Sequence, residues 1–258
     1  MPLLTLLTDF GAADYYVAAV KGTVLRLAPG TTLVDLSHQV APGDVDGAAF
    51  LLAGAAPAFP AGTVHLAVVD PGVGSGRAIV VLETAEALFV APDNGLLTPF
   101  LDRGRAVRVE RPDLYLSGPS DTFHGRDRFA PVAAALLRGG PIADLGPALA
   151  APVRLAVTPP RRDGAALLGR VVHVDRFGNL VTDLPSEWLG PGAVEVDVEG
   201  HHTRHRARSY AELPTGEPGI VPGSLGTLEL SVANADLARR WGVGRGARVR
   251  ILLGRGAA

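Results

Sequence analysis

The sequence contains no cysteine. That absence excludes a disulfide framework, a zinc–thiolate site, an iron–sulfur cluster and a cysteine nucleophile. Lysine is almost missing as well, since Lys21 is the only one and nearly all positive charge is therefore arginine. Charge is scarce and balanced, with 24 basic against 26 acidic side chains and a net charge of -2. No basic excess is left to bind nucleic acid. Long apolar runs are lacking too: Ala49–Leu52 and Val132–Leu137 fall far short of the ~20 residues a membrane helix requires. The opening run MPLLTLLTDF is interrupted by Asp9 and carries no basic residue before Lys21, unlike a secretory signal. A cytoplasmic location is expected.

What remains is a globular composition: 258 residues, 47% hydrophobic and 19% charged, enough for one or two domains. In the first part, short apolar runs alternate with helical patterns. Strands are expected at Leu3–Leu7, Thr32–Leu36, Val64–Val69, Ala78–Leu82, Leu88–Ala91 and Val107–Val109, and helices at Asp14–Arg26, Asp44–Ala55, Gly95–Leu101 and Arg126–Leu137. Such alternation implies an α/β domain with a mostly parallel central sheet, whose ligand crevice lies beyond the carboxyl ends of the strands. The pattern changes near Leu155, where proline, charge and glycine mark a linker around Thr158–Gly164. Beyond it, Leu167–Val174, Asn179–Asp183, Ala193–Val198, Arg204–Arg208, Thr227–Leu230 and Ala247–Leu253 have strand character, separated by turns such as Pro214 to Gly219. The expected organisation is an α/β domain over 1–152, a linker over 153–164, and a smaller antiparallel, barrel-like β-domain over 165–258. No internal repeat is visible.

Three polar clusters fall where the chain leaves an expected strand. Thr8-Asp9-Phe10-Gly11, with Asp14 behind it, puts a carboxylate at a strand's end, where it can accept hydrogen bonds from a sugar diol; Asp9 or Asp14 can equally serve as a helix N-cap. Asp70-Pro71-Gly72-Val73-Gly74-Ser75-Gly76-Arg77 is glycine-rich but has Arg77 where a dinucleotide fingerprint needs glycine, and it lacks the Gly-Lys-Ser/Thr of a phosphate loop. It can bring Asp70 and Arg77 together, or be a hairpin turn with a surface ion pair. His124, within Asp121–Phe129, immediately precedes a helix whose amide dipoles favour an anion; a histidine there is also a common cap or a buried hydrogen-bonded group. His201, His202 and His205 lie among Arg204, Arg206 and Arg208 and read as solvated charge. Neither a metal-binding spacing nor a serine-hydrolase elbow is present, so no metal is expected.

Seven ordered motifs nevertheless resemble one family, the S-adenosyl-L-methionine hydroxide adenosyltransferases, whose halogenating relatives are the fluorinase and the chlorinase. They are TDFG (Thr8–Gly11), VDLSH (Val34–His38), DPGVGSGR (Asp70–Arg77), APDNGLLT (Ala91–Thr98), TFHGRD (Thr122–Asp127), DRFGN (Asp175–Asn179) and SLGTLELSVANA (Ser224–Ala235). The resemblance implies an enzyme that turns S-adenosyl-L-methionine and water into adenosine and L-methionine without a cofactor. It implies a homotrimer, with each site between one subunit's N-terminal domain and its neighbour's C-terminal domain. By motif position, Asp70, Arg77 and His124 match the water-activating trio, and Asp9 matches the ribose-diol carboxylate. Asp175 and Ser224 match contacts to the methionine end, and Phe177 and Asn179 match adenine contacts. Phe123 falls among the substrate contacts, Tyr210 is a candidate second aromatic wall, and Asn234 lies where the backbone approaches adenine.

Some positions depart from the halogenating relatives. Those enzymes carry tyrosine where this chain has Asp70, and the fluorinase has serine at Gly125 and an extra loop before the APDNGLLT-like motif. A carboxylate beside the nucleophile repels halide, which favours hydroxide. Gly43 stands where the fluorinase has tryptophan, and Leu225 replaces a polar or cationic residue. The alternatives are a trimer that binds S-adenosyl-L-methionine or adenosine without turnover, and a halide-using adenosyl transferase.

Overall fold

The computed structural model describes residues 1–254, so the last four residues of the expected 165–258 domain lie outside the described residues. The chain divides into two compact units, Met1–Ala156 and Val157–Ala258. In the first the elements run β1 (Leu3–Thr8), α1 (Tyr16–Leu27), β2 (Thr32–Ser37), α2 (Val45–Ala55), β3 (Thr63–Val68), β4 (Ile79–Thr84), β5 (Ala87–Pro92), β6 (Gly104–Arg108) and α3 (Ala130–Leu137), with short 3₁₀ turns between them. The strands form one sheet in the order β2-β1-β3-β5-β4-β6. The first four run parallel, and β4 is antiparallel to both of its neighbours.

All six residues of β3 are buried, because helices cover both faces. Leu4, Leu6, Val64, Leu66 and Val68 face Val20, Val24, Val132 and Leu136 of α1 and α3, while Leu7, Ala67 and Val69 face Ala48 and Leu52 of α2. This is the two-residue strand period with both faces apolar, as parallel strands require. His65 belongs to this core: its Nδ1 lies 2.7 Å from Thr5 Oγ1, its ring stacks on Phe89, and burial pushes its pKa down to about 4.

Three expectations are corrected here. Neither Asp9 nor Asp14 caps α1, which starts at Tyr16 behind Tyr15 with no side-chain cap. The segment 70–77 is not a hairpin turn, since β5 lies between β3 and β4. The expected helix Arg126–Leu137 is split into one π-helical turn, Gly125–Phe129, followed by α3. Pro131 has no N–H to give the Asp127 carbonyl, so that carbonyl accepts from Leu116 N at 3.0 Å, and Ala130 N reaches back five residues to Gly125 O.

The second unit consists of β7 (Arg161–Asp163), β8 (Ala166–Val174), β9 (Leu180–Pro185), β10 (Val194–Val198), β11 (His201–Thr203), β12 (His205–Arg206), β13 (Pro218–Pro222), β14 (Thr227–Val232), α4 (Leu237–Trp241) and β15 (Arg248–Leu253). The strand order is β11-β10-β15-β8-β9-β14-β13-β12, with β7 beside β8. Since β11 comes back beside β13, the sheet is nearly closed and barrel-like. Its neighbours are antiparallel except for the short parallel pair β12 and β13. Strand β10 alternates buried and half-buried residues, as a one-sided strand should. The expected strand Arg204–Arg208 reduces to β12, and Pro218 and Gly219, read as the end of a turn, instead open β13. Proline at a strand's first position costs no ladder bond. Arg161–Asp163, inside the expected linker, forms a hairpin with β8 through Gly164 at φ +59°. Among the described residues no helix is long and apolar enough to cross a membrane.

Candidate active site

Asp70 follows the end of β3, and Arg77 returns to it across the glycine loop. The Arg77 Nη1 donates to Asp70 Oδ1 at 2.6 Å, and Gly72 N donates to the same oxygen at 3.2 Å. Both bonds fall on Oδ1, which leaves Oδ2 for the cleft that Asp70 lines. This ion pair is not a surface one: the Asp70 side chain is 8% exposed and that of Arg77 27%. A Cβ at Gly72 would overlap the Arg77 guanidinium and push it from its present place beside Asp70.

The cleft, of about 470 Å³, is also lined by Asp9, Phe123 and His124. His124 is buried, and its Nε2 has no hydrogen-bond partner among the described residues. Burial, then the positive charge of Arg128, hold its pKa below the usual histidine value, against weaker upward pulls from Asp70, Asp121 and Asp127. At neutral pH it is therefore an uncharged imidazole with a free ring nitrogen. Asp9 Oδ2 accepts from Gly43 N at 2.9 Å, so the backbone of Gly43 is tied to this carboxylate. Phe123 is packed edge-on against Phe10 and Tyr16, with ring centroids 6.1 and 5.1 Å away.

The described second unit carries a separate pocket of about 500 Å³, lined by Phe177, Asn179, Tyr210, Ser231 and the segment Val232–Asp236, which includes Asn234. Phe177 is 76% exposed, on a loop in which Asp175 and Asn179 are hydrogen-bonded. Asp175 accepts from Phe177 N, Asn179 N and Asn179 Nδ2 at 2.8–2.9 Å, and Asn179 Oδ1 accepts from Ser231 Oγ at 2.6 Å. Gly178 stands at φ +82°, and a Cβ there would overlap the Asp236 carboxylate. Tyr210 donates to Glu229 Oε2 at 2.5 Å; burial first, then this bond, push its pKa above the usual phenol range. Asn234 holds the left-handed conformation at φ +59°.

The chain as a whole finds matches among known proteins. Residues 4–146 match the model of the SAM hydroxide adenosyltransferase N-terminal domain, and residues 169–250 match that of the corresponding C-terminal domain. The chain belongs to the SAM hydroxide adenosyltransferase family. One family relative, the (R)-S-adenosyl-L-methionine hydrolase of Salinispora tropica, is 39% identical over 262 residues covering 98% of each chain. The hydrolase of the same name from Thermus thermophilus is 42% identical over 256 residues, 95% of this chain and 98% of its own. A fluorinase from an Actinoplanes species is 28% identical over 294 residues, 97% of each chain. An uncharacterised conserved protein of Thermotoga maritima superposes with a TM-score of 0.92 at 34% identity, over 96% of this chain and 99% of its own.

In this family member the fold brings Asp9, Asp70, Phe123 and His124 to one cleft, with Arg77 gripping Asp70 beside it. It brings Phe177, Asn179, Tyr210 and Asn234 to the second pocket. Asp175 shapes that pocket's loop without lining it, and Ser224 sits on an exposed turn outside the lining. Sequence reasoning missed Phe10, Tyr15, Tyr16 and Arg126, all in the cleft's wall. The available signal was the pair Tyr15-Tyr16, half of the chain's 4 tyrosines, separated from TDFG by three residues. Glu229, which fixes Tyr210, was hidden inside an apolar strand. Among the described residues no group of three or more His, Asp or Glu side chains is arranged to hold a metal ion.

Proposed function

We propose that the protein hydrolyses S-adenosyl-L-methionine to adenosine and L-methionine by attack of water at C5′ of the ribose. The observation that carries this reading is the pairing, in one cleft, of Asp70, held by Arg77 through one oxygen only, with a neutral His124 whose Nε2 is unpartnered. The hydrolases named above, at 39–42% identity, support it.

In the reaction a C5′–O bond forms as the C5′–S bond breaks, and the sulfur leaves as a neutral thioether with the bonding pair. The leaving group needs no proton, so no general acid is required. The work is to hold water in line with the C–S bond, take up its proton and exclude competing solvent. Asp70 Oδ2 and His124 orient the water and accept its proton, while Arg77 fixes the carboxylate and favours developing hydroxide. Asp9 accepts hydrogen bonds from the ribose diol, and Phe123 packs against the substrate. Phe177, Asn179, Tyr210 and Asn234 hold adenine, and Asp175 and Ser224 reach the methionine end. No cofactor takes part.

The family resemblance extends the proposal to a cytoplasmic homotrimer, in which the cleft of one subunit and the pocket of its neighbour complete each site. The Asp70 carboxylate disfavours halide as the nucleophile, and the reactive pair disfavours a purely binding role. The test is to incubate pure protein with S-adenosyl-L-methionine, with and without millimolar chloride or fluoride, and to separate the products. Adenosine in every case is expected. A 5′-halo-adenosine as the main product, or binding without turnover, would overturn the proposal; light scattering that found a fully active monomer would remove the trimer.

A further inference from the structure

The sheet order explains why Asp70 and Arg77 meet. Asp70 leaves the carboxyl end of β3, and Arg77 precedes β4, which runs antiparallel to β5. With β5 between them, both residues emerge at the same end of the strands, one on each side of the carboxyl end of β5. The residues that leave β5 at that point are Asp93 and Asn94, part of the APDNGLLT motif. Asp93 N donates to the carbonyl of Ala78, next to Arg77, at 3.0 Å. Asn94 Nδ2 donates to the carbonyl of Val69, next to Asp70, at 2.8 Å.

Val69 is buried and lies past the last ladder pair of β3 with β1, Thr8 with Val68. A buried carbonyl beyond the ladder needs a donor from elsewhere, and the Asn94 amide supplies it. The amide's orientation is set by its other end, where Oδ1 accepts from Leu96 N at 3.2 Å. The turn closes through Gly95 at φ +96°, where a Cβ would press on Leu155. Neither Asp93 nor Asn94 lines the cleft.

We propose that Asn94 is a positioning residue for Asp70: by pinning the Val69 carbonyl it fixes where the Asp70 carboxylate stands between Arg77 and the cleft. The Val69 carbonyl and the Asp70 nitrogen share one rigid peptide plane, so releasing that carbonyl lets the plane rotate and carries the carboxylate with it. An amide is required. An ionised aspartate of the same shape has acceptors only and would set a negative oxygen against the carbonyl. The inference rests on Asp70 being the group that orients the water.

The test is a cycle of Asn94→Ala and Asp70→Asn, singly and together, with Asn94→Asp as a second variant that keeps shape and volume. Misplacing a reacting group by about 1 Å costs about 100-fold, so Asn94→Ala should lower kcat roughly 10- to 100-fold while KM stays within about threefold. In the Asp70→Asn background the same substitution should change kcat by less than about twofold, because contacting residues of one network are not additive. Asn94→Asp should lose at least as much as Asn94→Ala, and it carries the test if the alanine variant fails to fold by circular dichroism. An unchanged kcat, a loss of equal size in both backgrounds, or a rise in KM at constant kcat would overturn the proposal. Asp70→Asn turning over at the wild-type rate would overturn the reading of Asp70 instead.

Discussion

In the first unit, Asp70 keeps one oxygen for the cleft and His124 keeps an unbonded Nε2. In the second, Asp175, Asn179, Ser231, Tyr210 and Glu229 turn their polar atoms toward one another and leave an exposed Phe177 ring beside the pocket. Among the described residues, the first arrangement leaves a ring nitrogen and a carboxylate oxygen without a protein partner, and the second pairs its polar atoms with one another. On the proposed function, the contrast separates chemistry from recognition. The cleft holds groups poised to change protonation, while the pocket offers shape and an aromatic face already at rest.

The largest effect that would sharpen this contrast belongs to Asp70. Asp70→Asn keeps size but loses the charge that takes water's proton, and loss of a general base costs about 10²–10⁴ in rate; steady-state kinetics should show kcat falling by that factor with affinity changed only several-fold. Asp9→Ala should act the other way, raising KM first. A charged hydrogen bond to a diol is worth about 1.5–3 kcal/mol, roughly 10- to 150-fold, and calorimetric binding should report the same loss. Phe177→Ala should cost less, since an aromatic contact contributes about 0.5–1.5 kcal/mol, roughly 2- to 10-fold in KM. If that variant lowered kcat at saturating substrate instead, the second unit would not be confined to recognition.

The smallest expected effect is a pH limb. Burial and Arg128 lower the pKa of His124 from the ordinary 6.5, and in the proposed mechanism the neutral ring is the working form. Activity should therefore fall on the acid side with a midpoint below 6.5, as the imidazole takes up a proton. A rate profile with its acid midpoint above 6.5 would mean that another group governs the water.

Much of this was legible in the sequence because the informative residues stand at strand ends. The apolar runs of β1 and β3 announce themselves, so Asp9 and Asp70 could be located just beyond them. What could not be read was the neighbour relation. Periodicity gives no strand order, so nothing in the glycine loop told whether 70–77 closed a hairpin or, as it does, arched over the end of β5. The split of the helix at Pro131 was foreseeable, because a missing N–H leaves a predictable carbonyl unpaired. Strand β13 was hidden by prolines at both of its ends. The roles of Phe10, Tyr15 and Tyr16 depended on packing against Phe123, which the linear pattern does not encode.

The central claim is that water, activated in the Asp70 cleft, attacks C5′. It is tested most directly by running the reaction in ¹⁸O-labelled water with chloride or fluoride present and analysing the nucleoside by mass spectrometry. The account predicts adenosine carrying one ¹⁸O at its 5′-hydroxyl, formed by the wild type and slowed in Asp70→Asn. A 5′-halo-nucleoside as the main product, or adenosine without the label, would contradict it.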